Sequence, residues 1–213
     1  MRVLFALICS ILLVSTAKAD ILLMRVVVLS SAKWPSGYVT KERVTQSIEA
    51  ARFMHRLHSA PFIALRDVRY KKDPAPQFDG YDQMPAHLTA IRASSLHREM
   101  MRNVDFVYYV VPPLTYPGGP HLMGGLAGKV CPDVRNRNAL AIGNMRTAND
   151  YGLDRAGYSN VIMAHELGHL IGMYHVQSLT LMHPNALPYL GNGLSLTWDE
   201  TNLLQMRVCS LSR

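Results

Sequence analysis

The sequence predicts an α+β domain, and three observations carry that expectation. The first half alternates strand, helix, strand, helix, strand, an order that calls for parallel crossovers within one sheet. A break around Pro117 to Pro120 is then followed by two short strand-like runs and a helix rich in functional side chains. Near the end of the chain, Thr197 with Glu200 three residues later forms a capping box that opens a last helix ending near Cys209.

Residues 1–19 stand apart from this fold. Arg2 precedes a mostly apolar run from Val3 to Val14, closed by Ala17-Lys18-Ala19; a basic region, an apolar region and an A-x-A site together make a signal peptide. About twelve apolar residues fall short of the roughly 20 that span a bilayer, so export with cleavage before Asp20 is expected in place of a stable membrane anchor. Cys9 sits inside the apolar run and not after it, unlike a lipoprotein cysteine. Taking 19 from 213 residues leaves 194, so residues 20–213 fit one domain that can bury a core without several disulfides. The expected location is secreted or periplasmic.

The whole chain carries 22 basic and 15 acidic side chains; losing Arg2 and Lys18 with the signal leaves 20 against 15, a formal charge of +5. The basic residues are scattered along the chain. Scattered charge reads as a solvated surface, so neither nucleic acid nor an anionic membrane is an expected partner. Loss of Cys9 leaves Cys131 and Cys209, and an even pair in an oxidising compartment reads first as one disulfide.

Along the chain, Ile21 to Leu29 is a β-branched apolar run at the mature N-terminus, a buried strand with no room for a pro-segment before it. From Thr40 to His58 the apolar positions Val44, Ile48, Ala51, Met54 (or Phe53) and Leu57 recur at helical spacing, with Thr40 as N-cap and Pro61 beyond the end. Phe62 to Tyr70 is a second strand, and Asp73 to Pro85 a loop. A helix over about Ala86 to Arg102 leads to a strand at Asp105 to Val111, which Pro112-Pro113 closes. The two short strands lie around Gly125 to Val130 and Ala139 to Ile142.

The chemistry concentrates in His165-Glu166-Leu167-Gly168-His169-Leu170-Ile171-Gly172-Met173-Tyr174-His175. Two histidines four apart lie on one helix face, so both imidazoles reach one ion, and neutral imidazole suits Zn²⁺. Gly172, without a Cβ, can take a left-handed conformation that ends the helix and brings His175 in from another side. Three protein ligands leave a fourth position open for water, the mark of a catalytic zinc site. Glu166, beside the first ligand, is placed to take a proton from that water as general base. Five fixed residues of this kind coincide by chance in a chain this long only on the order of once in 10⁵.

These residues match the HExxHxxGxxH signature of the metzincins, which a Met-turn follows. Met182, seven residues after His175, stands where that family has the Met-turn methionine; His183 beside it reads as a wall or surface residue, the three-histidine set being complete. Met163 to Met173 is similar to the adamalysin or reprolysin branch, while Met182-His183-Pro184 also suits matrixins. Val176 and Leu170 depart from the adamalysin pattern, which has Asp and Asn there. The tyrosine ligand of astacins and serralysins, the cysteine switch of matrixins and the extra cysteines of archaemetzincins are all absent from the sequence. Gly125, Leu126 and Ala127, followed by Cys131, resemble the family's edge strand, which pairs antiparallel with an extended substrate.

The resemblance implies a zincin-like metzincin fold: a mixed, mostly parallel, twisted five-stranded sheet with three main helices and a short C-terminal subdomain after His175. It implies a zinc metalloendopeptidase with one catalytic Zn²⁺ held by His165, His169 and His175, and a protein or peptide as substrate. An inhibitor protein is a further possible partner for an enzyme made without a pro-segment. The rival from another class is a secreted, zinc-stabilised binding or effector module without peptidase activity; an intact Glu166 argues against it, because a structural site needs no carboxylate there.

Overall fold

The computed structural model describes residues 21–32, 35, 39–56, 62–78, 81–111, 125–127, 140–144, 158–184, 195 and 197–211. The signal-peptide expectation for residues 1–19 lies outside them. Five strands form one sheet: β1 (Ile21–Ser30), β2 (Phe62–Lys72), β3 (Phe106–Val111), β4 (Gly125–Ala127) and β5 (Leu140–Asn144), in the order β2-β1-β3-β5-β4. The first three pairings are parallel, and β4 runs antiparallel to β5, so the sheet is mixed as expected.

Strand alternation explains the two-sided core. Met24, Val26 and Val28 of β1 and Phe106, Tyr108 and Val110 of β3 face one side, where they meet α1 (Lys41–Arg56) and α4 (Tyr158–Leu170). Val27, Leu29, Val107, Tyr109 and Val111 face the other, against α2 (Met84–Ala93) and α3 (Ser95–Met100). With both faces covered, the central strands read as near-continuous apolar runs. Helix α1 buries Val44, Ile48, Ala51 and Met54 and leaves Phe53 exposed, which settles the choice between residues 53 and 54.

Three local expectations need correction. The helix expected over Ala86 to Arg102 is two helices, because Ser94 turns to extended backbone and its side chain accepts from the His97 amide, capping α3. Within the expected loop at Asp73 to Pro85, a single 3-10 turn at Tyr81–Gln83 leads into α2, which begins at Met84 with Pro85 in its first turn, where a missing N–H costs nothing. The last helix, α5 (Glu200–Leu211), is capped by Asp199, whose carboxylate accepts from the Asn202 amide at 2.9 Å; Thr197 bonds Ser195 instead. Asp199 competes for the cap because a carboxylate is at least as good there as a threonine hydroxyl and adds a favourable interaction with the helix dipole.

Arg25 interrupts the apolar run of β1 yet is buried. Its Nε donates to Asp67 at 2.6 Å and its guanidinium also donates to the Met100 carbonyl, so a paired charge ties β1, β2 and α3 together beside the register shift at Met24/Arg25. Among the described residues no helix is long and apolar enough to cross a membrane.

Candidate metal centre

Helix α4 ends at Leu170, and the turn that follows has the hydrogen bonds of a Schellman motif. The Met173 amide donates to the Gly168 carbonyl at 3.0 Å and the Gly172 amide to the His169 carbonyl at 3.1 Å, with Gly172 at φ 104°. This positive φ is the conformation expected of Gly172 from the sequence. It reverses the chain within three residues, so His175 returns to the face of α4 that carries His165 and His169.

The three imidazoles converge. Nε2 of His175 lies 3.2 Å from Nε2 of His165 and 3.1 Å from Nε2 of His169. One nitrogen from each ring falls within 4.8 Å of the others, and these three form the candidate metal group among the described residues. His165 is buried, His169 half-buried and His175 exposed, so the cluster opens to solvent on the His175 side.

Backbone carbonyls fix the tautomers. His165 Nδ1 donates to the Leu181 carbonyl and His169 Nδ1 to the Met173 carbonyl, each at 2.7 Å, so both Nδ1 atoms carry the proton and both Nε2 atoms present lone pairs. A third imidazole cannot satisfy two such lone pairs from one nitrogen, whereas a cation can satisfy all three rings. The spacing agrees: bonds of about 2.0–2.1 Å in tetrahedral geometry put ligand nitrogens roughly 3.3–3.4 Å apart. Burial, with the neighbouring imidazoles, pushes His165 down to about 3, and burial also lowers His169 and His175. All three are therefore held in the neutral form that ligates metal. The donor set fits zinc.

Glu166, next to His165 on α4, lies against the sheet. Residues 162 and 166 are one turn apart on α4, and both lie against the β4–β5 end of the sheet. A Cβ on Gly125 would sit 2.5 Å from Glu166 Cγ and 2.6 Å from its Oε1, so β4 approaches this side chain as closely as it does only because residue 125 is glycine. The carboxyl is buried, and burial raises its pKa to about 8. Leu126 and Ala127 complete β4, which among the described residues pairs with β5 alone and forms one edge of the sheet.

Met182 packs beneath the helix. Its sulfur would meet a Cβ on Gly168 at 2.5 Å, one residue before His169, and its carbonyl accepts from the Val176 amide at 3.2 Å, closing the loop that carries His175. His183 is buried beside the cluster and lowers His165 and His175 electrostatically, a wall residue and not a surface one. His55 of α1 reaches the Ala164 carbonyl with Nε2 at 3.1 Å and packs edge-on against Trp198, joining α1, α4 and the segment before α5. Cys131 lies outside the described residues, as does the side chain of Cys209, so the expected disulfide falls there too.

The sequence had marked the histidines, Glu166, Met182 and the edge strand. It had not marked the two carbonyls that orient the rings, or Gly143 and Tyr108, which flank Glu166 from the sheet. Gly143 was signalled only as a glycine just past a strand expected to end at Ile142, and Tyr108 only as a strand former.

No protein-family model matches the sequence, and no curated protein matches it. Among solved structures, the chain is similar to metalloproteinase-II from Bacteroides fragilis, at 17% identity and a TM-score of 0.53, over 89% of this chain and 55% of that one. It is also similar to a structure described as a chaperone–substrate complex, at 20% identity and a TM-score of 0.55, over 90% of this chain and 35% of that one. The chain thus spans about half the length of the first and about a third of the second. At these identities the likeness is one of fold: a mixed five-stranded sheet with helices.

Proposed function

We propose that this protein is a secreted zinc-dependent endopeptidase of the metzincin type. The observation that carries the reading is the convergence of three neutral imidazoles, two of them on the helix whose buried Glu166 lies against the sheet's edge strand. His165, His169 and His175 would hold the zinc, which would supply Lewis acidity to a carbonyl and to water there. Glu166 accepts the proton of the attacking water as its oxygen bonds to the scissile carbon, and returns that proton to the amine as the C–N bond breaks. The side of β4 away from β5, unpaired among the described residues, offers main-chain donors and acceptors to an extended peptide. Residues 1–19 serve as the export signal, and the metal position open to solvent beside His175 admits the substrate.

The test is a digest of a mixed peptide library by zinc-loaded protein with product mapping by mass spectrometry. Internal cleavage that a chelator abolishes and added zinc restores is the expected result; intact peptides at one zinc per chain would overturn the reading.

Gly125 gives a second check. In Gly125→Ala the three atoms nearest the new Cβ all belong to the Glu166 side chain, Cγ first at 2.5 Å, so the carboxyl is pushed from its place. Hydrolysis is expected to fall roughly 10-fold or more, as misplaced catalytic groups do, with the fold intact. Activity equal to wild type would mean that the position of Glu166 against β4 is unimportant.

A further inference from the structure

Two buried oxygens near the site have no hydrogen-bond partner among the described residues: the hydroxyl of Tyr108 on β3 and Oε2 of Glu166 on α4. The first is a donor and the second, when ionised, an acceptor. Leaving either alone in the interior is costly, so each needs a physical reason. The neighbouring Tyr109 shows the ordinary arrangement, its hydroxyl lying 3.0 Å from Nδ1 of His97 on the opposite face of the sheet.

Both oxygens reach one place by one device. A Cβ on Gly143 would collide with the Tyr108 hydroxyl, as a Cβ on Gly125 would with Glu166. Gly143 and Gly125 are direct partners in the antiparallel β5–β4 pair, so their missing side chains point to one face, about 4.5–5.5 Å apart. Ile162 closes that face from α4, its Cγ2 3.0 Å from the Gly143 position. Phenol and carboxyl therefore both enter the one groove that two glycines open between sheet and helix. Burial first, and then the charge of Glu166, raise the phenol well above its ordinary range, so it keeps its proton and remains a donor.

We propose that Tyr108 is a positioning residue for Glu166: its hydroxyl is the donor toward which the inner carboxylate oxygen turns in the working site, leaving the oxygen beside Gly125 to face the reacting water. Such bonds are often long until the reacting complex draws them tight. The proposal rests on the peptidase reading above, but the pairing itself can be read without turnover.

Tyr108→Phe removes one oxygen and keeps the ring. The variant is expected to keep its zinc and its melting temperature, while kcat falls roughly 10- to 100-fold, what a hydrogen bond to a charged group is worth, and KM stays near wild type. Tyr109→Phe should leave kcat unchanged. In zinc-loaded protein carrying ¹³C-labelled tyrosine, the Cζ resonance of Tyr108, identified by its loss in Tyr108→Phe, should move in Glu166→Gln and stay in place in Glu49→Gln. An unmoved resonance, or an undiminished kcat in Tyr108→Phe, would overturn the proposal, as would zinc loss and a lowered melting temperature in that variant. A wild type that cleaves no peptide while the resonance still responds would sink the peptidase reading and leave the pairing standing.

Discussion

His165→Ala and His169→Ala proteins are expected to lose zinc and thermal stability together. Each ring does two things in the structure: Nε2 joins the converging set, and Nδ1 donates to a backbone carbonyl, Leu181 for one and Met173 for the other. Removing a ring deletes a ligand and leaves that carbonyl without its donor, so the loop carrying His175 loses an anchor at the same time. Binding of zinc to the folded state alone stabilises it by about 2.7 kcal/mol at a concentration 100 times Kd. A variant whose affinity falls more than a hundredfold forfeits nearly all of that. For a domain of this size each kcal/mol corresponds to roughly 2–4 °C, so the melting temperature in zinc should drop by about 5–11 °C. Atomic emission on gel-filtered protein measures the metal, and melts with and without zinc measure the linkage. Wild-type melting should depend on zinc and variant melting should not. A variant that retains one zinc per chain and a zinc-dependent melt would remove that histidine from the ligand set.

The parts of this site that were legible in the sequence depend on spacing along one element. His165 and His169 share a face because of helical periodicity, and Gly172 announces the turn because glycine readily takes the φ of 104° found there. The parallel strand order followed from alternation of strand and helix, and β4 was recognisable from Gly125 beside Leu126 and Ala127. What stayed hidden depends on residues distant in sequence. Tyr108 and Tyr109 are adjacent and chemically identical, and only the sheet register decides which faces α4 and Glu166 and which faces His97. Arg25 is buried in the apolar run of β1 because Asp67 and the Met100 carbonyl, both distant in sequence, pair with it. At the caps, neighbouring residues are of similar worth, and tertiary context chooses between them. Ser94 could have continued a helix or ended one, and Thr197 and Asp199 competed for the start of α5.

Glu166→Ala is expected to separate holding zinc from using it. The carboxyl is not among the three groups whose nitrogens converge, and its inner oxygen has no hydrogen-bond partner among the described residues, so its removal takes no ligand from the metal. Zinc should stay near one per chain. Melting temperature should change little, because an acid raised to about 8 by burial is poorly accommodated where it sits, and losing it offsets the small cavity left beside Gly125. Hydrolysis should fall by about 10² to 10⁴, the scale of a positioned general base, since no other described carboxylate lies in the converging group to take its place. Zinc by atomic emission, run beside cleavage of casein or of a peptide that the wild type cuts, separates the outcomes. Full activity in the variant would end the general-base assignment. Loss of zinc would make Glu166 a structural part of the metal centre, and an unchanged metal content beside a wild type that cuts nothing would favour a zinc-stabilised binding module over a peptidase.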